Sequence, residues 1–204
     1  MYIAIEGPKG SGKSTLVESI KKFCIENDID IAVYEPTRKT SAFSFCEVIF
    51  FLFEKLGINS NLLKKYTYKS REVVNSNKCD FKKELIVSDR SVLTYYSSRL
   101  TDSHTYNIEE ALSNKPPVVL PTPDILVFLD FDVHKCHLRT HGRSKQDNAA
   151  DCSIKKIRKS KWAFKKLLLN KNLIGLEKTK IVSLDESYFP VRPEYIFNLI
   201  KGQL

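Results

Sequence analysis

At 204 residues the chain has room for one well-cored α/β domain and is short for two. With 42% hydrophobic and 28% charged residues and no low-complexity tract, its composition excludes a disordered or fibrous chain and fits a soluble globule. A net charge of +9 suits an acidic partner, either a nucleic acid or a small phosphorylated substrate, but the lysines fall mainly as doublets (64–65, 82–83, 155–156, 165–166) on predicted helices and read as solvated faces, not as a nucleic-acid stripe.

Apolar patches alternate between strand-like and helix-like periods. Tyr2–Ile5 is a short buried strand, followed by a helix over Ser14–Glu26 with Leu16, Ile20 and Phe23 on one face. Asp30–Tyr34 is a second strand and ends before Pro36. Ser41–Leu56 is helical, and its apolar stretch from Phe43 is too short and too charged to span a bilayer, so it reads as a buried helix. Leu62–Asn75 is a helix carrying Tyr66, Tyr68 and Arg71. Leu85–Ser88 is a strand, and a helix follows Asp89-Arg90 through Arg99, with a short helix at Ile108–Leu112. Asp124–Asp130 is the clearest strand, introduced by Pro121 and Pro123. Helices over Val133–Thr140 and Ser153–Leu169, a strand over Lys180–Leu184 and a helix over Tyr195–Ile200 complete the chain. Strands separated by helices of this length predict a three-layer α/β/α domain on a parallel five-stranded sheet, with the site at the carboxyl ends of the strands. The five cysteines (24, 46, 79, 136 and 152) contain no CxxC pair, which argues against a disulfide framework or structural zinc. The expected setting is reducing and cytoplasmic, with no signal peptide, no membrane and no specific nucleic acid.

Residues 7–14, GPKGSGKS, satisfy G-x-x-x-x-G-K-[ST] between a strand and a helix. Gly7, Pro8, Lys9, Gly10, Ser11, Gly12, Lys13, Ser14 and Thr15 are therefore the predicted ATP-binding residues. The glycines let backbone N–H groups converge on one anion, and the following helix adds its positive end. Lys13 should bridge the β- and γ-phosphates and Ser14 should ligate Mg2+. The loop by itself leaves open an ATPase, a GTPase, a helicase or a small-molecule kinase. Asn77-Lys78-Cys79-Asp80 matches a GTPase base-reading motif in letters, but it precedes its strand where that motif follows one. A helicase needs more chain.

Four stretches narrow the choice: EGPKGSGKST, Glu35-Pro36-Thr37-Arg38 after the second strand, Ser88-Asp89-Arg90-Ser91 after the third, and PDILVFLD followed by HLRTHGRSKQD. Their order over nearly the whole chain resembles the thymidylate kinase and deoxynucleoside kinase group of P-loop enzymes. The resemblance implies a P-loop kinase in a single domain (residues 1–204) with a small lid over about 139–152. It implies that Asp89 holds Mg2+ or takes the acceptor's proton, and that Arg90 binds the acceptor side. Arg38 is then a phosphate-binding arginine, Arg71 lies near the acceptor base, and Glu35, Tyr68 and Tyr95 complete the acceptor site. Some thymidylate kinases carry an arginine at the position of Gly10; a glycine there leaves the lid to supply the charge, from Arg143 first, then Arg139. Lys145 and Asp147 share that stretch.

Three positions depart from the thymidylate pattern. Lys9 stands where an acidic residue reads the sugar 3′-hydroxyl, Thr67 stands where an aromatic residue stacks on the base, and the third-strand motif also resembles that of deoxynucleoside kinases. In those enzymes the residue matching Glu35 is the catalytic base. The expectation is transfer of the ATP γ-phosphate to a deoxynucleoside monophosphate, most of all dTMP. The alternatives are a deoxynucleoside kinase and an inactive nucleotide-binding relative. A homodimer through Phe43–Leu56 is the expected assembly.

Overall fold

The computed structural model describes residues 1–38, 48–49, 52–53, 55–56, 61–102, 107–113, 121–141 and 153–201, with backbone only for 61–66, 68, 102 and 199–201. Five parallel strands lie in the order β2-β3-β1-β4-β5: β1 (Tyr2–Glu6), β2 (Ile31–Tyr34), β3 (Leu85–Asp89), β4 (Ile125–Leu129) and β5 (Lys180–Leu184). The described helices are α1 (Lys13–Glu26), α2 (Asn61–Lys78), α3 (Val92–Asp102), α4 (Ile108–Leu112), α5 (Val133–His141), α6 (Ile154–Leu169) and α7 (Pro193–Lys201). Two single turns of 3-10 helix, at Lys171–Ile174 and Glu186–Tyr188, were not expected from the sequence.

The central strands β1 and β4 are buried at every position, because helices cover both faces of the sheet. Alternation sorts their residues. Ile3, Ile5, Val87, Ile125 and Val127 pack with Leu16, Val17 and Ile20 of α1 and with Ile196 and Phe197 of α7. Leu126 and Phe128 pack with Leu93 and Leu100 of α3 and with Ala163, Phe164 and Leu167 of α6. Each fully buried aliphatic side chain contributes about 1.5–3 kcal/mol, so the α1 stripe holds the phosphate loop against a firm wall. Pairing of Ile5 with both Asp89 and Val127 brings the carboxyl ends of β1, β3 and β4 level.

At the end of β4, Asp130 receives the ammonium groups of Lys161 (2.8 Å) and Lys165 (2.7 Å). These two cations of the lysine-rich α6 are thereby tied to the sheet.

The buried-helix reading of Phe43–Leu56 needs correction where the segment is described. Residues 48–49, 52–53 and 55 are helical, but Val48, Leu52, Phe53 and Leu56 are all exposed. Their apolar groups do not reach either face of the sheet. The other residues of that segment lie outside the described residues.

Candidate active site

The phosphate loop leaves β1 and enters α1 through Gly12, whose left-handed backbone (φ 91°) forms the helix N-cap. No side chain caps that end, and its first turn holds no acid, so its N–H groups suit an anion. Gly10 is fixed by contact as well as by φ (+83°): a Cβ there would fall 2.2 Å from the carbonyl oxygen of Cys136 in α5. The loop therefore has no space for a side chain at residue 10, arginine included.

Lys13 is buried, and its Nζ donates to the carbonyls of Gly7 (2.8 Å) and Pro8 (2.9 Å). Burial, then the nearby charge of Arg90, pulls its pKa down to about 8. One residue on, Ser14 Oγ donates to Asp89 Oδ2 at 2.5 Å, joining α1 to the end of β3. The other carboxylate oxygen, Asp89 Oδ1, is buried without a hydrogen-bond partner. A hydroxyl and a carboxylate in contact, with one buried oxygen unsatisfied, fit Mg2+, which takes few protein ligands and fills its shell with water and phosphate oxygens. Among the described residues no cluster of three or more His, Cys, Asp or Glu competes for that role.

Arg90 follows with φ +91°, a strained conformation for a long side chain, and its N–H bonds the carbonyl of Ile5 (3.0 Å). Beneath this turn lies Glu6, fully buried, its carboxylate accepting from Ser91 N, Ser91 Oγ, Thr94 N and Thr94 Oγ1. Burial holds the Glu6 carboxyl above the usual carboxylate range, against the bonds from the two hydroxyls and Ser91 N and the charge of Lys13, which pull it down. Sequence reasoning passed over Glu6. Its signal was an acid closing an otherwise apolar central strand.

On the β2 side, Arg38 pairs with the Glu35 carboxylate through Nη1 and lies within electrostatic reach of Asp89. Asn75 of α2, also missed, fastens that turn: its Nδ2 donates to the carbonyls of Glu35 (2.8 Å), Pro36 (3.4 Å) and Arg38 (3.1 Å). Val33, Glu35, Arg38, Asn75, Lys78 and Cys79 line a cavity of about 120 Å³. Arg71 and Thr67, four residues apart on α2, are both buried. Tyr95 sits under Arg99, which donates to its hydroxyl (3.0 Å) and lies 5.1 Å from its ring centroid. The side chain of Tyr68 lies outside the described residues.

Arg139, near the end of α5, has its guanidinium 3.9 Å from the Phe189 ring centroid, and its Nη2 donates to Glu186 (3.4 Å). Phe189 in turn approaches Gly12. The structure thus brings Arg139 to the Gly12 side of the loop, against the segment after β5. Arg143, Lys145, Asp147 and the rest of the expected lid from residue 142 lie outside the described residues.

A strand–loop–helix with an uncapped helix start, and a lysine, a hydroxyl and a carboxylate on one sheet edge, fits the ATP-dependent phosphotransferases of the P-loop class, to which the family match assigns the chain. The family model for thymidylate kinase matches residues 5–184. The chain belongs to the thymidylate kinase family. Its fold is similar to that of a thymidylate kinase from Candida albicans, with TM-score 0.67 and 18% identity, covering 98% of this chain and 91% of that one. It is also similar to a deoxyadenosine kinase from M. mycoides solved with dCMP and dCDP, with TM-score 0.59 and 18% identity over 99% of this chain and all of that one. No curated protein sequence matches the chain.

Proposed function

We propose that the chain moves the γ-phosphoryl of ATP onto a deoxynucleoside monophosphate, dTMP before others. The observation that carries this reading is the contact of Ser14 with Asp89 beside Lys13, with Arg90 next in the chain and Arg38 within reach of Asp89. Cations on the acceptor side favour an acceptor that already bears a phosphate. An acceptor phosphate can take charge-assisted bonds from Arg90 and, in exchange for Glu35, from Arg38, which a neutral nucleoside cannot do.

In this reading the loop N–H groups and Lys13 hold the donor phosphates. Ser14 and Asp89 would hold Mg2+, which when bound would supply positive charge to offset the charge that develops during transfer. Arg90 and Arg38 orient the acceptor phosphate, Arg71 and Tyr68 line its base, and Arg143 closes over the transferring group and excludes water. The exposed apolar residues Val48, Leu52, Phe53 and Leu56 offer a face for a homodimer. The described cysteines (24, 79 and 136) are free thiols, in keeping with a reducing compartment.

A second reading, deoxynucleoside kinase with Glu35 as base, has one geometric point against it. The Glu35 carboxylate is already paired with Arg38 and would have to leave that partner to reach an acceptor hydroxyl. The test supplies ATP and Mg2+ with thymidine, dTMP, dUMP, dCMP and dGMP separately and follows ADP. dTMP should be best and thymidine poor. Faster turnover of thymidine or deoxycytidine than of any monophosphate overturns the proposal in favour of the nucleoside kinase.

A further inference from the structure

The buried carboxylate of Glu6 lies within electrostatic reach of Lys13, yet all four of its hydrogen bonds go to the turn after β3. Its Oε1 accepts from Ser91 N (2.6 Å), Ser91 Oγ (2.8 Å) and Thr94 N (3.1 Å), and Oε2 accepts from Thr94 Oγ1 (2.6 Å). All four donors lie just past Arg90. Arg90 itself is held at φ +91°, and its own N–H is bonded to the carbonyl of Ile5. The peptide planes on the two sides of Arg90 are therefore pinned by two consecutive residues of β1, one through its backbone and one through its side chain. A strained residue persists only where its surroundings over-determine it.

We infer that Glu6 is a positioning residue for phosphoryl transfer: it locks the Asp89-Arg90-Ser91 turn so that Asp89 meets Ser14 and Arg90 stands beside Lys13. This inference rests on the kinase reading for its effect on rate, but not for its effect on the turn. A competing account makes Glu6 only a borrowed N-cap for α3, supplied from another strand. A cap stabilises the helix end and has no hold on the Arg90 amide, which Glu6 does not touch. Releasing the turn, in contrast, lets Arg90 relax to negative φ, breaks its bond to Ile5 and draws the Asp89 carboxylate off Ser14.

The experiment compares wild type with Glu6→Ala, Glu6→Gln and Thr94→Val. Glutamine keeps the oxygen that takes three of the four bonds, and the Thr94 hydroxyl can turn to accept from its amide. In Glu6→Ala, kcat should fall about 100-fold, as for a reacting group misplaced by about 1 Å. The Mg2+ concentration for half-maximal rate should rise about tenfold or more, as when an outer support of a metal ligand is lost. Glu6→Gln should recover most of both, and Thr94→Val should lie between Glu6→Gln and Glu6→Ala. Amide hydrogen exchange without nucleotide should quicken at Arg90 as well as at Ser91. A folded Glu6→Ala with wild-type kcat, Mg2+ dependence and Arg90 exchange overturns the inference. Should Glu6→Ala not fold, wild-type values of all three in Thr94→Val overturn it. If the wild-type protein phosphorylates no nucleotide, the functional reading falls alone, and exchange at Arg90 still decides what Glu6 does.

Discussion

Lys13 is folded down onto its own loop, its ammonium on the carbonyls of Gly7 and Pro8 with 7% exposure, where the motif predicts it reaching for phosphates. It must exchange these two bonds for phosphate oxygens when ATP enters. Lys13→Ala should lower kcat by about 10²–10³, the loss seen when one preset donor to a developing charge is removed. Its melting temperature should stay near that of wild type, since the change also removes a buried charge; wild-type turnover would refute the role. Glu72 on α2 makes a different forecast. Burial pushes its carboxyl up to about 7, with Lys69 pulling only weakly the other way. A raised carboxyl costs nothing where both folded and unfolded chains hold the proton, and its cost grows as pH climbs through the ordinary carboxylate range to about 7. Glu72→Gln should thus match wild type in melting temperature near pH 4 and exceed it increasingly up to about pH 7, then by a constant margin. A difference that stays flat across this range would show that Glu72 is better solvated than its burial implies. The meeting of Lys13, Ser14 and Asp89 was legible because all three sit in short motifs at strand ends. Glu6 and Asn75 were not, since their meaning lies in partners 85 and about 40 residues away.

Elements were legible wherever one local pattern decided them. Continuous apolar runs marked β1, β3 and β4, and the 3.6-residue stripe of Leu16, Ile20 and Phe23 marked α1. Ser153 was expected as the first residue of a helix and proves to be the cap of α6, its side chain accepting from Lys156 N. The apolar residues near position 50 misled because hydrophobicity says that a face needs covering, not that this chain covers it. Contacts between elements were hidden as well. The motif demands a glycine near position 10 for backbone freedom, but the structure adds the carbonyl of Cys136 pressing on it from α5. Gly10→Ala should therefore destabilise the fold by about 2–4 kcal/mol, from left-handed strain and overpacking together. At about 2–4 °C per kcal/mol for a chain of this size, the melting temperature should drop by roughly 5–15 °C. A drop under 2 °C would mean that α5 yields easily.

Across the whole molecule, Lys13, Ser14, Asp89 and Arg90 meet on one sheet edge, and the proposed mechanism leaves the remaining charge for transfer to Arg143, beyond the end of α5 in the sequence. With residue 10 barred from carrying a side chain, Arg143→Ala should cut kcat by about 10³ with a modest change in KM, because an arginine of this kind acts on charge that develops during transfer. A change confined to KM would move the catalytic charge elsewhere, Lys9 being the nearest candidate in sequence. The five-stranded architecture and the phosphate loop's place between β1 and α1 could be read from the chain, since both rest on periodicity and one specific loop. The acceptor half could not be read fully, because it depends on how α2 leans on the turn after β2 through Asn75. The close approach of Gly10 to α5 also bears on descent. A single codon change can turn glycine into arginine, but at position 10 that change meets a packed backbone. A mutant gaining arginine at position 10 would first lose stability, and could be rescued only after the backbone near Cys136 had shifted. A lineage that has packed α5 onto its loop therefore faces a valley in fitness on any path that places an arginine at residue 10.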